Sequence, residues 1–124
     1  MSISPSLPST PVYIIIWEYR PNPEHRAAFE AAYSESGDWV QFFQQGEGYL
    51  GTRLYHDTDT KGRYLTIDMW ISESAYQQFC EVHRSRYVAL DDRFEPLTIY
   101  ERRVGAFYTV IPSTLNDMAQ NTPL

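Results

Sequence analysis

Between Tyr64 and Trp70 the chain alternates with no Gly or Pro to interrupt it. Leu65, Ile67, Met69 and Ile71 fall on one side, and Tyr64, Thr66, Asp68 and Trp70 on the other. A period of two predicts a strand. The period changes at Ser72. Tyr76, Phe79, Cys80, His83, Tyr87 and Leu90 recur at helical spacing, which predicts one long helix with a continuous face. Ser72 is placed to cap it by accepting from first-turn N–H groups, and Glu73 suits the positive end of its dipole. His83 is the one polar member of that face.

The same patterning extends over the rest of the chain. Val12 to Arg20 is a dense β-branched and aromatic run, expected as a central strand covered on both sides. Pro21 and Pro23 end it, and Asn22 can cap a helix with Pro23 at its first position. That helix would turn Phe29, Ala32, Tyr33 and Ser36 inward, with His25, Arg26, Glu30 and Glu35 mostly outside. Gly37 reads as a helix stop and Asp38 as a new N-cap, giving a short helix from Asp38 to Gln45 that buries Trp39, Phe42 and Phe43. A strand then runs to about Asp57. The polar segment 57–62 turns it into the 63–71 strand as a hairpin. Asp91 to Pro96 ends the long helix, and Leu97 to Ile111 forms a last strand. The order β-α-β-β-α-β predicts an α+β, ferredoxin-like domain over residues 12–111, with a four-stranded antiparallel sheet and helices on one face. Residues 1–11 and 112–124, rich in Ser, Pro and Asn, are expected to be a disordered arm and a weakly ordered tail.

The first and last strands are apolar at nearly every position, so the sequence leaves open which of Trp17 and Glu18 meets the helices. It also predicts that the uncovered sheet face is apolar, and therefore that the protein is a homodimer packed sheet against sheet.

Composition narrows the function. A formal net charge of −6 offers no basic field for a phosphate backbone, so nucleic acid is not an expected partner. The βαββαβ order also occurs in RNA-recognition modules, but Arg102, Arg103, Phe107 and Tyr108 are only a faint match to their basic, aromatic strands. No run approaches the length of a membrane helix, and the N-terminus has neither the basic nor the apolar part of a secretory signal. With one cysteine, a cytoplasmic protein is expected. The histidines show no HxH or HxxxH spacing and no Cys/His cluster, so no metal is expected, and no nucleotide-cofactor motif occurs. Aromatic residues make up 15% of the chain, enough to line a pocket as well as fill a core.

Three motifs carry a resemblance: the turn Gly48-Tyr49-Leu50-Gly51, the strand Tyr64–Trp70, and the run Trp70-x-Ser72-x-x-Ala75-Tyr76-x-x-Phe79. Over roughly residues 12–110 the chain resembles the antibiotic biosynthesis monooxygenase superfamily of dimeric α+β barrels. The resemblance implies a small-molecule pocket in each subunit between helices and sheet. It further implies cofactor-independent monooxygenation of a small aromatic or quinol-type compound, or else a non-catalytic ligand-binding or assembly module of the same fold. The haem-degrading branch carries a Trp where this chain has Phe79, a His where it has Ala89, and an Asn near Tyr19, where none occurs before Asn22. Haem degradation is therefore not expected.

Oxygenation without a cofactor needs a base to form an electron-rich anion, and donors and aromatic walls to hold it. His83 is the candidate base, because its unperturbed pKa is near neutrality. Its plainer role is a core histidine bonded to a carbonyl or a Tyr hydroxyl. The candidate substrate contacts are Tyr33, Trp39, Arg53, Asp68, Trp70 and Phe79. Tyr33 and Trp39 would border the pocket mouth or simply fill the core. Trp70 is a structural anchor or a pocket wall. Arg53 and Asp68 would be largely buried in their strands, as a cross-strand ion pair or a substrate-orienting one.

Overall fold

The computed structural model describes residues 10–112, so the expected arm and tail lie almost wholly outside the described residues. Four strands, β1 (Tyr13–Pro21), β2 (Tyr49–His56), β3 (Tyr64–Trp70) and β4 (Thr98–Tyr108), form one antiparallel sheet in the order β2-β3-β1-β4. Among the described residues there are four α-helices: α1 (Arg26–Tyr33), α2 (Asp38–Phe43), α3 (Glu73–Val82) and α4 (Arg84–Phe94). This is the α+β, ferredoxin-like arrangement. Among the described residues no helix is long and apolar enough to cross a membrane.

Local chemistry accounts for most of the boundaries. The Asn22 side chain accepts from the Glu24 N–H at 3.1 Å, opening a single 3₁₀ turn, Pro23–His25, ahead of α1. α1 ends at Tyr33, which leaves Ser36 in an exposed turn instead of on the inner face. Gly37, not Asp38, is the N-cap of α2. A Cβ there would lie 2.4 Å from the carbonyl oxygens of Ala31 and Ala32, so only glycine lets the two backbones approach this closely. Ser72 caps α3 as its sequence suggests, accepting from the Ala75 N–H at 3.1 Å.

The expected long helix is instead two. His83 leaves helical geometry at φ −109° and ψ 27°, between α3 and α4. Neither Gly nor Pro marks the break. The bonds His83 N–H to Phe79 and Tyr87 N–H to His83, both 2.9 Å, continue the i to i−4 pattern across it. The hydrophobic periodicity therefore runs straight through a bend that it cannot register.

Pairing of β1 with β3 settles the parity. Tyr13, Ile15, Trp17 and Tyr19 lie opposite Trp70, Asp68, Thr66 and Tyr64 on the helix side. Ile14, Ile16 and Glu18 lie opposite Met69, Ile67 and Leu65 on the open side. Trp17 therefore meets the helices and Glu18 does not. A bulge in β4 pairs Ile16 with Gly105 but Trp17 with Arg103, leaving Val104 unmatched. By shifting the register one place, it turns Glu101 toward the helices, beside Tyr19, and Arg102 toward Glu18.

The core is aromatic. Trp70 is 0% exposed, with the rings of Phe43, Tyr49, Tyr76 and Phe79 all within 5.8 Å of it, centroid to centroid. The open face carries the half-buried Ile14, Ile16, Leu65, Ile67 and Met69, with Phe107 47% exposed. Its one buried charge, Glu18, accepts from Arg63 at 2.7 Å and Arg102 at 3.1 Å. The Arg63 bond chiefly, helped by Arg102, holds the Glu18 pKa below its ordinary value. Arg63 also reaches Asp57 at 2.8 Å, which ties off the hairpin turn.

Trp70→Ala should cost about 3–5 kcal/mol of stability, because the rings around it belong to three different elements and cannot all close the gap. Urea unfolding measures this; a loss under about 1 kcal/mol would show that the indole does not anchor β3 to α3.

Candidate functional site

A cavity of about 90 Å³ opens between the sheet and helices α1, α2 and α4. All four strands reach it. Trp17, Tyr19, Tyr33, Trp39, Phe43 and Tyr87 form its aromatic walls. Thr52, Thr66 and Asp68 form its sheet floor, and Asp91 and Glu101 are its further acidic members.

Asp68 is the chemical centre. Its residue surface is 8% exposed, and the Thr52 hydroxyl donates to its Oδ1 at 2.7 Å. Burial raises the Asp68 pKa to about 6, with the Thr52 bond opposing the shift. The Tyr49 and Thr52 hydroxyl oxygens lie 2.6 Å apart. Because the single Thr52 proton goes to Asp68, Tyr49 is the donor in that pair. Burial pushes the Tyr49 phenol up to about 12. Desolvation likewise raises Tyr19, Tyr33 and Tyr87, so these phenols stay protonated as donors at neutral pH.

Trp39 supplies another donor. Its buried Nε1–H has no hydrogen-bond acceptor among the described residues, although it lies near enough to the Tyr33 hydroxyl to favour phenolate there. Trp70 Nε1 is similarly unpartnered but does not line the cavity.

Of the residues singled out from the sequence, the fold brings Tyr33, Trp39 and Asp68 together on the cavity wall. Trp70 and Phe79 pack behind it, 5.3 Å apart by ring centroid. Arg53 is elsewhere. The hairpin register sets Thr52 opposite Asp68 and Arg53 opposite Ile67, so Arg53 leaves on the other side and pairs with the exposed Glu35 at 3.1 Å. The expected Arg53–Asp68 ion pair does not form. His83 also stands apart from the cavity. At the α3–α4 junction its ring lies 4.6 Å from Phe79 and 6.0 Å from Phe42, facing α2 rather than the sheet.

Thr52, Thr66, Tyr87, Asp91 and Glu101 were missed as site residues, as were Trp17, Tyr19 and Phe43. A signal for Thr52 existed: counting outward from Asp57 and Arg63 at the ends of the turn reaches Thr52 opposite Asp68. Glu101 had none, because its orientation depends on the bulge. Among the described residues no three His, Cys, Asp or Glu side chains are disposed to hold a metal ion.

A family model described as antibiotic biosynthesis monooxygenase matches residues 12–82. Among solved structures, SnoaB, a cofactor-independent oxygenase from Streptomyces nogalater, is similar at 14% identity and a TM-score of 0.60, covering 84% of this chain and 97% of that one. A Bordetella bronchiseptica protein described provisionally as an antibiotic biosynthesis monooxygenase is 15% identical, with a TM-score of 0.63, covering 82% of this chain and 100% of that one. A Pseudomonas aeruginosa protein is 17% identical, with a TM-score of 0.58, covering 83% and 97%. At these identities the likeness is one of fold. No curated protein matches the chain in sequence.

The Asp68 environment has a measurable consequence for stability. A folded pKa of about 6, against an ordinary 3.8, means that the native state keeps this proton where the unfolded chain has lost it. The resulting stabilisation is complete below the unfolded pKa and is lost as pH rises through the folded one. Relative to wild type, Asp68→Asn should therefore gain on the order of 3 kcal/mol between about pH 4 and pH 6 and stay level above that. Urea unfolding of both proteins across that range checks it; a difference independent of pH would mean that Asp68 titrates as a solvated carboxyl.

Proposed function

Because the chain belongs to the antibiotic biosynthesis monooxygenase family, we propose that it is a monooxygenase-like enzyme in which Asp68 is the base for cofactor-independent oxygenation of a small aromatic, quinol-type substrate. The observation that carries this reading is a buried carboxylate, tuned toward neutrality and bonded to Thr52, on the wall of an aromatic cavity.

A quinol bound with a hydroxyl at Asp68 gives up that proton to the carboxylate. The transfer leaves the net charge of the cavity unchanged, so little solvent reorganisation is needed in a dry site. The electron-rich ring anion then reacts with dioxygen. One oxygen atom forms the new C–O bond at a ring C–H carbon, and the other leaves as water. The substrate supplies all four electrons and emerges as a hydroxyquinone, so no external reductant is required. Trp39, whose N–H has no acceptor among the described residues, lines the same cavity, and in this reading that N–H serves the oxygen that gains negative charge. Thr52 and Tyr49 continue the hydroxyl chain from Asp68 toward a shallow outer depression shared with Gln44 and Met69, a route by which the captured proton returns to solvent once both hydroxyls turn to donate outward.

The same reading makes the protein a cytoplasmic homodimer. The support for the dimer is the open sheet face, where Ile14, Ile16, Ile67 and Met69 form a contiguous apolar centre that none of the described helices covers.

Two measurements test the reading. In an oxygen-electrode screen of quinols, Asp68→Asn should lower kcat/KM by about 10²–10⁴-fold, and wild-type kcat/KM should rise with pH to a plateau above about 6. His83→Ala should stay within about threefold of wild type, since His83 does not line the cavity. Oxygen uptake that survives Asp68→Asn and fails in His83→Ala would reverse the assignment; no uptake with any quinol would favour the ligand-binding module. For the dimer, sedimentation should give twice the 14.5 kDa chain mass. Ile67→Glu, which places a charge at the centre of the face, should give a folded monomer. A monomeric wild type would remove the sheet-to-sheet assembly.

A further inference from the structure

We propose that the cavity and its mouth are built for an aromatic substrate carrying a protonated amine, with the ring hydroxyl turned inward to Asp68 and the ammonium held at the mouth by the exposed Asp91 and Glu101. This rests on the cavity being the substrate site, as read above, and goes further by naming the charge of the substrate.

The cavity is lined by three carboxylates from three elements, Asp68 on β3, Asp91 on α4 and Glu101 on β4, and by no Lys, Arg or His. Some of the chain's other acids are given cations. Glu18 has both Arg63 and Arg102, and Asp57 has Arg63. Among the described residues neither Asp91 nor Glu101 has an ion-pair partner. Asp68 is more than nine-tenths buried, and while its Oδ1 accepts from Thr52, no described residue donates to its Oδ2.

Two further features favour an organic cation. The rings of Trp17, Trp39, Tyr33 and Tyr87 line the cavity, and the π density of such rings attracts an ammonium in a partly desolvated site. The carboxylates approach from separate elements and do not converge as a metal site among the described residues. Burial, reinforced by Asp91 and Glu95, raises Glu101, and burial reinforced by Asp92 and Glu95 raises Asp91. A bound cation relieves that crowding of like charge. An anionic substrate would add to it. The β4 bulge matters here, because without the unmatched Val104 the register would carry Glu101 to the open face. An ammonium also offsets the ring anion formed beside Asp68, so the one device serves both binding and the chemistry.

Three near-isosteric phenols test the charge preference by calorimetric titration near neutral pH: tyramine, its neutral alcohol counterpart tyrosol, and the anionic para-hydroxyphenylacetate. Tyramine should bind about tenfold more tightly than tyrosol, with the acid weakest. It should also shift the Trp39 indole N–H resonance. The Asp91→Asn/Glu101→Gln double variant should bring the tyramine-to-tyrosol ratio toward one. The proposal is overturned if tyrosol or the acid binds as well as tyramine, if the ratio survives the double substitution, or if tyramine fails to bind at millimolar concentration. Oxygen uptake is read separately. A tyramine preference without turnover of any quinol would refute the reaction and retain the cation site, whereas Asp68-dependent turnover without the preference would do the reverse.

Discussion

The uninterrupted pairing of β1 with β3, from Tyr13 opposite Trp70 to Tyr19 opposite Tyr64, is the constraint on which the rest of the structure depends. In a sheet with one covered face, a slip of one residue would exchange every inward side chain for an outward one. The observed register sends five aromatic side chains, Ile15, Thr66 and Asp68 toward the helices. It sends Ile14, Ile16, Ile67 and Met69 to the open face. Trp70 then becomes the point at which the sheet, α2 and α3 share one aromatic cluster, and Ser72, two residues later, starts the helix that closes over it.

Two buried carboxylates show how differently one fold can treat the same group. Glu18 is met by two guanidinium groups, which favour its charge and make it a structural tie between β1, the hairpin and β4. Asp68 accepts from a single hydroxyl and has no guanidinium paired with it, and its burial disfavours its charge. A structural role would be better served by the first arrangement. The second holds a proton affinity near neutrality at a net cost to the fold, which is the pattern expected of a group retained for its chemistry.

Much of the architecture was legible in the sequence because its signals are local. Alternation between Tyr64 and Trp70, the Ser72 cap, and the turn at 57–62 each specify their own element. The parity of β1 was not legible, since apolar residues on both sides erase the alternation that would mark the inner face. The break at His83 was hidden because helical hydrogen bonding continues across it. For the cavity, Tyr33, Trp39 and Asp68 were within reach as aromatic or charged positions on inward faces. Arg53 was misplaced because charge type alone does not reveal register: its neighbour Thr52, not Arg53, stands opposite Asp68. Glu101 depends on a one-residue bulge between two strands remote in sequence, and nothing near Glu101 announces it.

The functional assignment comes down to the proton affinity of one carboxyl group. Its most direct test is a titration of the Asp68 side-chain carboxyl by carbon-detected NMR on the intact protein, with Asp68→Asn identifying the resonance. Burial against the aromatic walls with one hydroxyl partner predicts a midpoint of about 6. A midpoint at or below the ordinary value of 3.8 would contradict it, showing the carboxylate to be solvated or paired and leaving the cavity without a base tuned to neutral pH.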